Sequence, residues 1–415
     1  MNNNNTKIIF ILPNIYESTN GVSTKYINFI NYVSINYSIV LFIPYKINNY
    51  EKHITNKNIK IIKTRGLTIP FYKDIIIPVI DENKLKKEII TGDEIIIFNG
   101  EFMWIYNILN NLKKIYNNLK IYPTMHTDYV YYGNKVYSKY NFTYLLKHLD
   151  NYLQKKIMTG IIVTGENMKE KYSIYTDRVF NANEVNLDIF KNVKYDLYNK
   201  NMFNLIYCGR ISKEKNIEEI LECSLKLYEN NINFNLNIIG DGPFLENFKS
   251  IIQIKYKKIK SFIIFHGNKE QYEISKLYES IDNRIFIFTS LSETFGKTPM
   301  EAGATGIPIF IQKSDITDIL YINRKNAYIF DSPSSFIEQF IYFIHLDILE
   351  KKIFIDNSIE NIFKYDQSTI FKNMLEFILD KNINKDKDKI SIVDIFTLYG
   401  ISKFINCTGN IIGDN

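Results

Sequence analysis

The stretch T-S-L-S-E-T-F-G-K-T-P-M-E-A-G-A-T-G-I-P-I-F-I, residues 289–311, decides the fold of this chain. It is bordered by two apolar runs typical of buried strands, Arg284–Thr289 and Ile307–Ile311. Gly296 permits a tight turn. Pro299 suits the first position of a helix, because its missing N–H would have had no partner there. The stretch therefore predicts a strand, a loop, a short helix and a second strand.

Two carboxylates flank the predicted start of this helix. Glu293 lies in the loop, and Glu301 falls in the first helical turn, where a carboxylate complements the positive end of the helix dipole. A helix start also leaves backbone N–H groups without intrahelical partners, which makes it an anion site. A single Glu here fits a plain helix cap equally well. The two together indicate a site for an anion the size of a diphosphate.

The pattern is Glu-x7-Glu, with T-F-G after the first Glu and E-A-x-A-x-G-x-P from the second. It resembles the retaining family-4 glycosyltransferases of the GT-B fold. The resemblance implies that Glu293 contacts a transferred sugar and that Glu301 binds the ribose hydroxyls of a nucleotide. It also implies that the diphosphate is held by the backbone amides of the next three residues, Thr294, Phe295 and Gly296.

Several positions depart from that family's pattern. Lys297 stands where the family more often has an apolar residue. Its side chain either adds charge beside the phosphates or is solvated, and of the two we expect it to be solvated. The segment Asn183–Phe190 resembles the family's N-G-V-D-x-x-x-F connector, but Glu184 replaces the usual Gly and Asn186 the usual Asp. Any backbone contact that needs a glycine at position 184 is therefore in question.

Composition indicates an ordinary globular protein. The chain has 415 residues, enough for two domains, with 46% hydrophobic and 23% charged residues. Its formal net charge of +6 is mild for this length. That charge permits attraction to an anionic lipid or nucleotide without establishing either. We expect no nucleic-acid partner.

Cysteine usage and the apolar runs bear on the compartment. Cys208, Cys223 and Cys407 have no paired or metal-type spacing, which argues for a reducing compartment. The apolar run Ile8–Leu12 stops at Pro13 and is too short for the core of a signal peptide. No apolar run approaches the roughly 18 residues of a membrane-spanning helix. We expect a cytoplasmic protein and leave peripheral contact with a membrane open.

The first half of the chain alternates strand-like and helix-like segments, which predicts a parallel sheet of Rossmann type. The helical spacing is clear at Ser23–Val33 and Met168–Tyr172. The predicted strands are Lys7–Pro13, Ile39–Ile43, Ile59–Ile62, Glu94–Phe98, Leu119–Thr124 and Ile161–Thr164.

Two loops in the first half of the chain are further candidates for contact with a substrate. Family members usually have two glycines where the chain approaches the diphosphate and the acceptor, and here only Gly21 carries over, after Asn20. Ser23 is equally well a plain N-cap that needs no ligand. The segment Arg65–Tyr72 interrupts the alternation. It fits either a Gly/Pro surface loop or the loop before the acceptor site in one subgroup of the family, which contains sulfoquinovosyltransferase and lipid mannosyl- and glucosyltransferases.

His126 follows the predicted strand Leu119–Thr124, and ligands bind outside the carboxyl ends of parallel strands. The same subgroup carries H-T-x-x at this point. The resemblance implies that His126 contacts the transferred sugar and that Asp128 lies at the substrate. The alternative is a structural histidine.

The second half opens with a strand that ends at Gly209, followed by Arg210 and Lys215. The string G-R-x-x-x-x-K-N resembles the family's phosphate clamp, in which this Arg and Lys hold the distal phosphate of the donor. A departing nucleoside diphosphate accumulates negative charge, which fixed cations stabilise. The alternative is a pair of surface charges. Further along, Gly240-Asp-Gly-Pro243 resembles a segment that supports the nucleotide pocket, and Gly267 lies in a loop that the family places near the base.

We therefore expect an α/β chain of GT-B fold, with two Rossmann-like domains facing across a cleft. The expected boundaries are residues 1–195 for the acceptor domain, 200–364 for the donor domain, 365–380 for a helix crossing back to the first domain, and 381–415 for a charged linker and tail. The tail contains an Asp-x-Asp within Lys385–Lys389, but it alternates with lysines outside any predicted site, so we reject it as a metal site.

The resemblance implies a retaining transferase. It would move a hexose from a UDP- or GDP-sugar to a lipid or glycan acceptor. We expect neither cofactor nor metal, since Arg210, Lys215 and the helix start can bear the charge of the diphosphate. Two alternatives on the same fold are a nucleotide-sugar epimerase and a non-catalytic sugar-nucleotide-binding paralogue.

Overall fold

The computed structural model describes residues 6–12, 21–45, 54, 56–69, 72–100, 105–126, 158–173, 176–191, 194–196, 202–291, 293–380 and 410–412. The chain divides into two compact units. Unit 1 comprises Met1–Asn183 and Phe371–Asn415, and unit 2 comprises Glu184–Ile370.

Strands and helices alternate along unit 1. They are β1 (Thr6–Ile11), α1 (Gly21–Ser34), β2 (Ser38–Pro44), β3 (Ile59–Thr64), β4 (Gly66–Ile69), β5 (Tyr72–Pro78), α2 (Glu82–Ile90), β6 (Glu94–Asn99), α3 (Tyr106–Ile115), β7 (Leu119–Met125), β8 (Ile161–Val163), α4 (Glu166–Ser173) and β9 (Val179–Asn181).

The main sheet of unit 1 has the strand order β3-β2-β1-β6-β7-β8-β9, with all neighbours parallel. Its inner strand β1 is buried on both faces, as expected for a sheet that is covered on both sides. Ile8 and Phe10 of β1 face a core that includes Phe29 of α1, and Ile9 and Ile11 face a second core. The predicted parallel sheet is confirmed.

Unit 2 follows the same plan. Its elements are β10 (Phe203–Cys208), α5 (Ile217–Glu229), β11 (Phe234–Ile239), α6 (Leu245–Lys255), β12 (Ile263–Gly267), α7 (Gln271–Ser280), β13 (Arg284–Phe288), α8 (Lys297–Ala304), β14 (Ile309–Gln312), α9 (Thr317–Leu320), β15 (Tyr328–Phe330), α10 (Pro333–His345), α11 (Ile348–Phe363) and α12 (Gln367–Leu379).

The six parallel strands of unit 2 have the order β12-β11-β10-β13-β14-β15. Leu205 and Tyr207 of β10 face one core, and Ile206 and Cys208 face the other. From β10 the chain first builds the sheet to one side through β11 and β12. It then returns to the other side of β10 with β13. The strand order therefore reverses between β10 and β13, where open α/β sheets bind their ligands.

Helix α12 begins in unit 2, and its residues from Phe371 onward belong to unit 1. Phe371, Met374 and Ile378 are buried in the core that α1 also lines, and the Phe371 and Phe29 rings are 5.2 Å apart. The Arg178 guanidinium bonds the Asp380 carboxylate at 2.8 Å, just beyond the end of the helix.

Part of the segment predicted as a loop, Arg65–Tyr72, instead belongs to a small sheet, in which Gly66–Ile69 forms β4 and Tyr72 begins β5. Strands β4 and β5 pair antiparallel, and β16 (Asn410–Ile412) adds to the other edge of β4. The prediction was wrong because Gly66–Ile69 is too short to show a strand period and its partner β16 lies more than 300 positions later in the chain.

Candidate active site

The site of unit 2 lies at the carboxyl edge of its sheet, where β10 and β13 are neighbours. The chain leaving β10 carries Arg210 and Lys215, and the chain leaving β13 carries Glu293 and the start of α8. Because parallel strands end at the same edge, both sets of charged groups come to one place.

The two loops are bonded to each other. Lys215 ends a short 3-10 turn, Lys213–Lys215, and its Nζ forms an ion pair with Oε1 of Glu293. The hydroxyl of Thr289 donates to the carbonyls of Lys215 and Asn216, at 3.0 Å each. The predicted cation and the predicted sugar-binding carboxylate therefore contact each other directly.

Arg210 lies on the exposed side of the same loop. Its carbonyl accepts a hydrogen bond from the Tyr207 hydroxyl at 2.9 Å, which fixes the backbone where the chain leaves β10. The backbone that bears the Arg210 guanidinium is therefore fixed at the end of β10.

The close approach of two loops at Gly240 explains why this edge of the sheet is rich in glycine. A Cβ at this residue would lie 2.0 Å from the Gly209 carbonyl oxygen, so the two loops approach more closely than any side chain allows. The Gly240 N–H donates to the Gly267 carbonyl at 2.8 Å, and the Ile211 N–H donates to the backbone carbonyl of Asp241 at 2.9 Å. The loops after β10, β11 and β12 are therefore one bonded layer, and Gly267 belongs to it.

Helix α8 starts two residues earlier than the sequence predicts. Its N-cap is Gly296, at φ 69°, and Lys297 is its first residue. Pro299 is therefore third rather than first, and Glu301 lies in the second turn rather than the first. A glycine in the left-handed region lets the helix begin directly after the turn, which the position of the proline concealed. Gly296 has no side chain to cap the helix, so this end offers its N–H groups to a ligand.

Thr294 and Phe295 form the turn that leads into α8. The Phe295 ring is buried, with its centroid 5.1 Å from the Tyr365 ring. Its side chain therefore anchors the turn, and only its backbone remains for the predicted diphosphate contact.

Glu301 is a buried carboxyl, 3% exposed. The Gln271 side-chain amide donates to its Oε1 at 2.6 Å, and among the described residues none donates to Oε2. Burial raises the pKa of Glu301 to about 7, against the opposing effects of Lys297 and Gln271 and with a further rise from Glu184. A carboxyl that titrates near neutrality, with one oxygen open to a donor, suits a hydroxyl-bearing ligand.

Lys297 is not solvated, contrary to the prediction. Its ammonium lies 2.7 Å from Oε1 of Glu184, and the two side chains are 17% and 2% exposed. Burial alone would lower the pKa of Lys297, but Glu184 and Glu301 outweigh it and raise that pKa. Two departures from the family pattern that are 113 positions apart therefore form one buried ion pair. Sequence reasoning noted each residue separately and missed both the pairing and Gln271.

Unit 1 holds His126 at the end of β7. Its Nε2 is 2.9 Å from the Tyr26 hydroxyl and its Nδ1 is 2.7 Å from the Thr164 hydroxyl. The ammonium of Lys25, itself buried, lies 3.4 Å from Nδ1. Burial, together with the charge of Lys25, lowers the pKa of His126 well below its ordinary value, so the ring is neutral near pH 7.

Of the other residues predicted in unit 1, Gly21 is the first residue of α1 and is exposed. Ser23 is buried inside that helix, so the N-cap interpretation was wrong. Asp128 lies outside the described residues, as does the Lys385–Lys389 segment.

Residues 188–360 match the model of a family described as glycosyl transferases group 1. Over these residues the chain is similar to the group 1 glycosyl transferases. The matched region coincides with unit 2 over nearly all of its elements from β10 to α11. It includes the Lys215–Glu293 pair, Glu301 and Lys297.

Two curated relatives align with part of the chain. Alpha-monoglucosyldiacylglycerol synthase of Acholeplasma laidlawii is 30% identical over 183 residues, 44% of this chain and 43% of that protein. Sulfoquinovosyl transferase of Arabidopsis thaliana is 32% identical over 117 residues, 28% of this chain and 21% of that protein. The chain thus spans less than half the length of the curated relatives it matches.

A solved structure supports the fold of the whole chain. Anabaena HepE, crystallised with UDP and glucose, covers 89% of this chain and 98% of its own at a TM-score of 0.64 and 16% identity. At that identity the likeness shows the fold alone, and the fold is GT-B, as predicted.

The described residues have two further properties that bear on the site. No helix in them is both long and apolar enough to cross a membrane. They also contain no group of three or more His, Cys, Asp or Glu side chains placed to hold a metal ion.

Proposed function

We propose that this protein is a glycosyltransferase that moves a hexose from a nucleoside diphosphate sugar to a lipid or glycan acceptor. The observation that carries the proposal is the Lys215–Glu293 pair beside the uncapped start of α8, at the switch point of unit 2. These three groups match the parts of a sugar diphosphate. The cation and the helix start can bind its phosphates, and the carboxylate can bind its hydroxyls.

In the proposed reaction the bond between the anomeric carbon and the phosphate oxygen breaks, and the acceptor oxygen bonds to that carbon. Arg210, Lys215 and the N–H groups at the start of α8 stabilise the charge that the diphosphate gains. Glu293 orients the sugar, and Glu301 binds the ribose hydroxyls. The acceptor's proton passes to the leaving phosphate oxygen on the same face, so the anomeric configuration is retained.

The resemblance of the His126 segment assigns this ring to the transferred sugar. A neutral imidazole held between Tyr26 and Thr164 is a hydrogen-bonding group rather than a cation. His126 would therefore position a sugar hydroxyl and would not contribute to the phosphate clamp.

The names of the relatives support the proposed acceptor class. The Acholeplasma protein is named for a glucosylated diacylglycerol and the Arabidopsis protein for a sulfoquinovosyl group. We infer an acceptor hydroxyl on a lipid or glycan, with peripheral contact of the enzyme with a membrane where the acceptor is a lipid.

The test is incubation of the purified protein with a panel of radiolabelled UDP- and GDP-sugars, with and without diacylglycerol vesicles. We expect nucleoside diphosphate release in step with label entering the acceptor. Conversion of the donor to its epimer would instead indicate an epimerase. Nucleotide binding without turnover of any donor would indicate a non-catalytic binder.

A further inference from the structure

We propose that Lys297 and Glu184 are positioning residues that act on Glu301 in opposite directions and so set the pH range in which unit 2 binds a sugar nucleotide. This inference rests on the proposed function, because it takes Glu301 as the ligand of the ribose hydroxyls. It concerns two residues at which this chain departs from the pattern that its motif otherwise follows.

The geometry fixes Lys297 next to Glu301. The two residues are four positions apart on α8, so their side chains share one face of the helix. Lys297 is held on its other side by Oε1 of Glu184 at 2.7 Å. Oε2 of Glu184 accepts from the Gln367 amide, also at 2.7 Å, so both oxygens of Glu184 are occupied. The ammonium therefore cannot move away from α8 without breaking a buried ion pair.

The charges around Glu301 have opposite effects. Lys297 favours the ionised form of Glu301, and Glu184 disfavours it. Since burial already raises the pKa of Glu301 to about 7, a modest change in either neighbour alters the fraction ionised near neutrality.

The other titratable groups facing Glu301 do not change charge in this range. They are the Cys208 thiol, at the end of β10, and the Tyr278 phenol of α7. Burial raises the pKa of Cys208 to about 12 and that of Tyr278 well above its ordinary value, so both are neutral near pH 7. Gln271 bonds Glu301 but does not titrate. Lys297 and Glu184 are thus the neighbours whose charges matter.

The sign of the effect follows from the ligand. An ionised carboxylate accepts hydrogen bonds from hydroxyls more strongly than a neutral carboxyl does. Binding of a ribose therefore favours ionised Glu301, and affinity falls as the pH drops through the pKa of that group. Removing Lys297 should move the fall to higher pH, and neutralising Glu184 should move it to lower pH.

The experiment measures the dissociation constant of a UDP- or GDP-sugar between roughly pH 5.5 and 8.5. The diester phosphates of such a donor stay ionised throughout, so the protein alone supplies the titration. For the wild type we expect the fall in affinity to centre near pH 7. Lys297→Met should raise that midpoint and Glu184→Gln should lower it, each by about half a unit or more.

Two further variants serve as controls. Lys258→Met removes an exposed lysine outside the site and should leave the midpoint at the wild-type value. The double variant Glu184→Gln, Lys297→Met removes both charges, leaves neither member of the buried ion pair without the other, and should titrate between the two single variants. It also keeps the test open if Lys297→Met does not fold.

A second readout separates failure of this inference from failure of the proposed function. The Glu301 carboxyl carbon can be followed by 13C NMR without nucleotide and assigned by its loss in Glu301→Gln. Opposite shifts of its pKa in the two single variants support the charge pair, even if no sugar nucleotide binds and the proposed function falls. Equal shifts, shifts of one sign or no shift would overturn the inference.

Discussion

Arg210 and Lys215 follow one strand, and Lys215 forms an ion pair with the Glu293 carboxylate. We expect Arg210→Ala and Lys215→Ala each to lower kcat/KM by at least about 100-fold, the effect of losing one donor that acts in the transition state. Steady-state kinetics measures this, with circular dichroism to confirm folding. Near-wild-type activity in both variants would contradict the phosphate clamp.

Replacing Glu293 and replacing Glu301 should change the steady-state kinetics in different ways. Glu301→Gln loses a charged acceptor remote from the reacting carbon, so we expect KM for the donor to rise about tenfold with a modest change in kcat. Glu293→Gln should chiefly lower kcat, because contacts to the sugar tighten as its anomeric carbon becomes cationic.

Kinetics near pH 8, where Glu301 is largely ionised, compares the two variants fairly. A nucleoside diphosphate isotherm for each gives the second measurement. If Glu293→Gln weakens that binding more than Glu301→Gln does, the two roles are reversed.

The residue types of this site could be predicted from sequence, but their pairings could not. The motif indicated Glu293, Glu301, Arg210 and Lys215 because each stands at a fixed spacing from a glycine or proline. The burial of Lys297 was missed because its partner, Glu184, lies 113 positions away, and nothing local signals that contact. The sequence feature that could have suggested this pair was the second departure from the family pattern, at Glu184.

At the scale of elements, the glycine loops hold the site together. Gly240, at φ 135°, has no room for a Cβ, whereas Gly267, at φ 68°, has no other atom within 4 Å of where its Cβ would be. We expect Gly240→Ala to lower the free energy of unfolding by about 2 kcal/mol or more, through both strain and a clash. Gly267→Ala should cost about 1 kcal/mol, through strain alone.

Urea unfolding of the two variants provides the measurement. Because both substitutions add the same methyl group at a positive φ, their difference reports the clash with the Gly209 carbonyl together with the greater backbone strain at φ 135°. Equal losses would mean that the loops after β10 and β11 are not held in contact.

Strands were predictable at this scale, and the exact start of α8 was not. An apolar run such as Ile8–Ile11 can be stable only where both faces are covered, so its sequence largely determines its place. The start of α8 depends on one backbone angle, at Gly296, and composition does not reveal that angle. Strand β16 pairs with β4 from more than 300 positions along the chain, and no local pattern predicts that pairing.

For the whole molecule, the proposed clamp implies that turnover needs no divalent cation. The charge of the diphosphate would be met by Arg210, Lys215 and the start of α8. We expect activity to survive EDTA with less than about a twofold change. Loss of activity with EDTA that Mg²⁺ or Mn²⁺ restores would refute this part of the mechanism.

The central claim is that this chain transfers a hexose from a sugar nucleotide with retention. The most direct measurement is a proton NMR time course of the intact protein with an α-linked UDP- or GDP-sugar and an acceptor, read at the anomeric signals before the product can be hydrolysed. We expect a new α-anomeric signal from the acceptor-linked sugar, growing in step with free nucleoside diphosphate. A β-anomeric product, or an epimerised donor with no acceptor-linked signal, would contradict it.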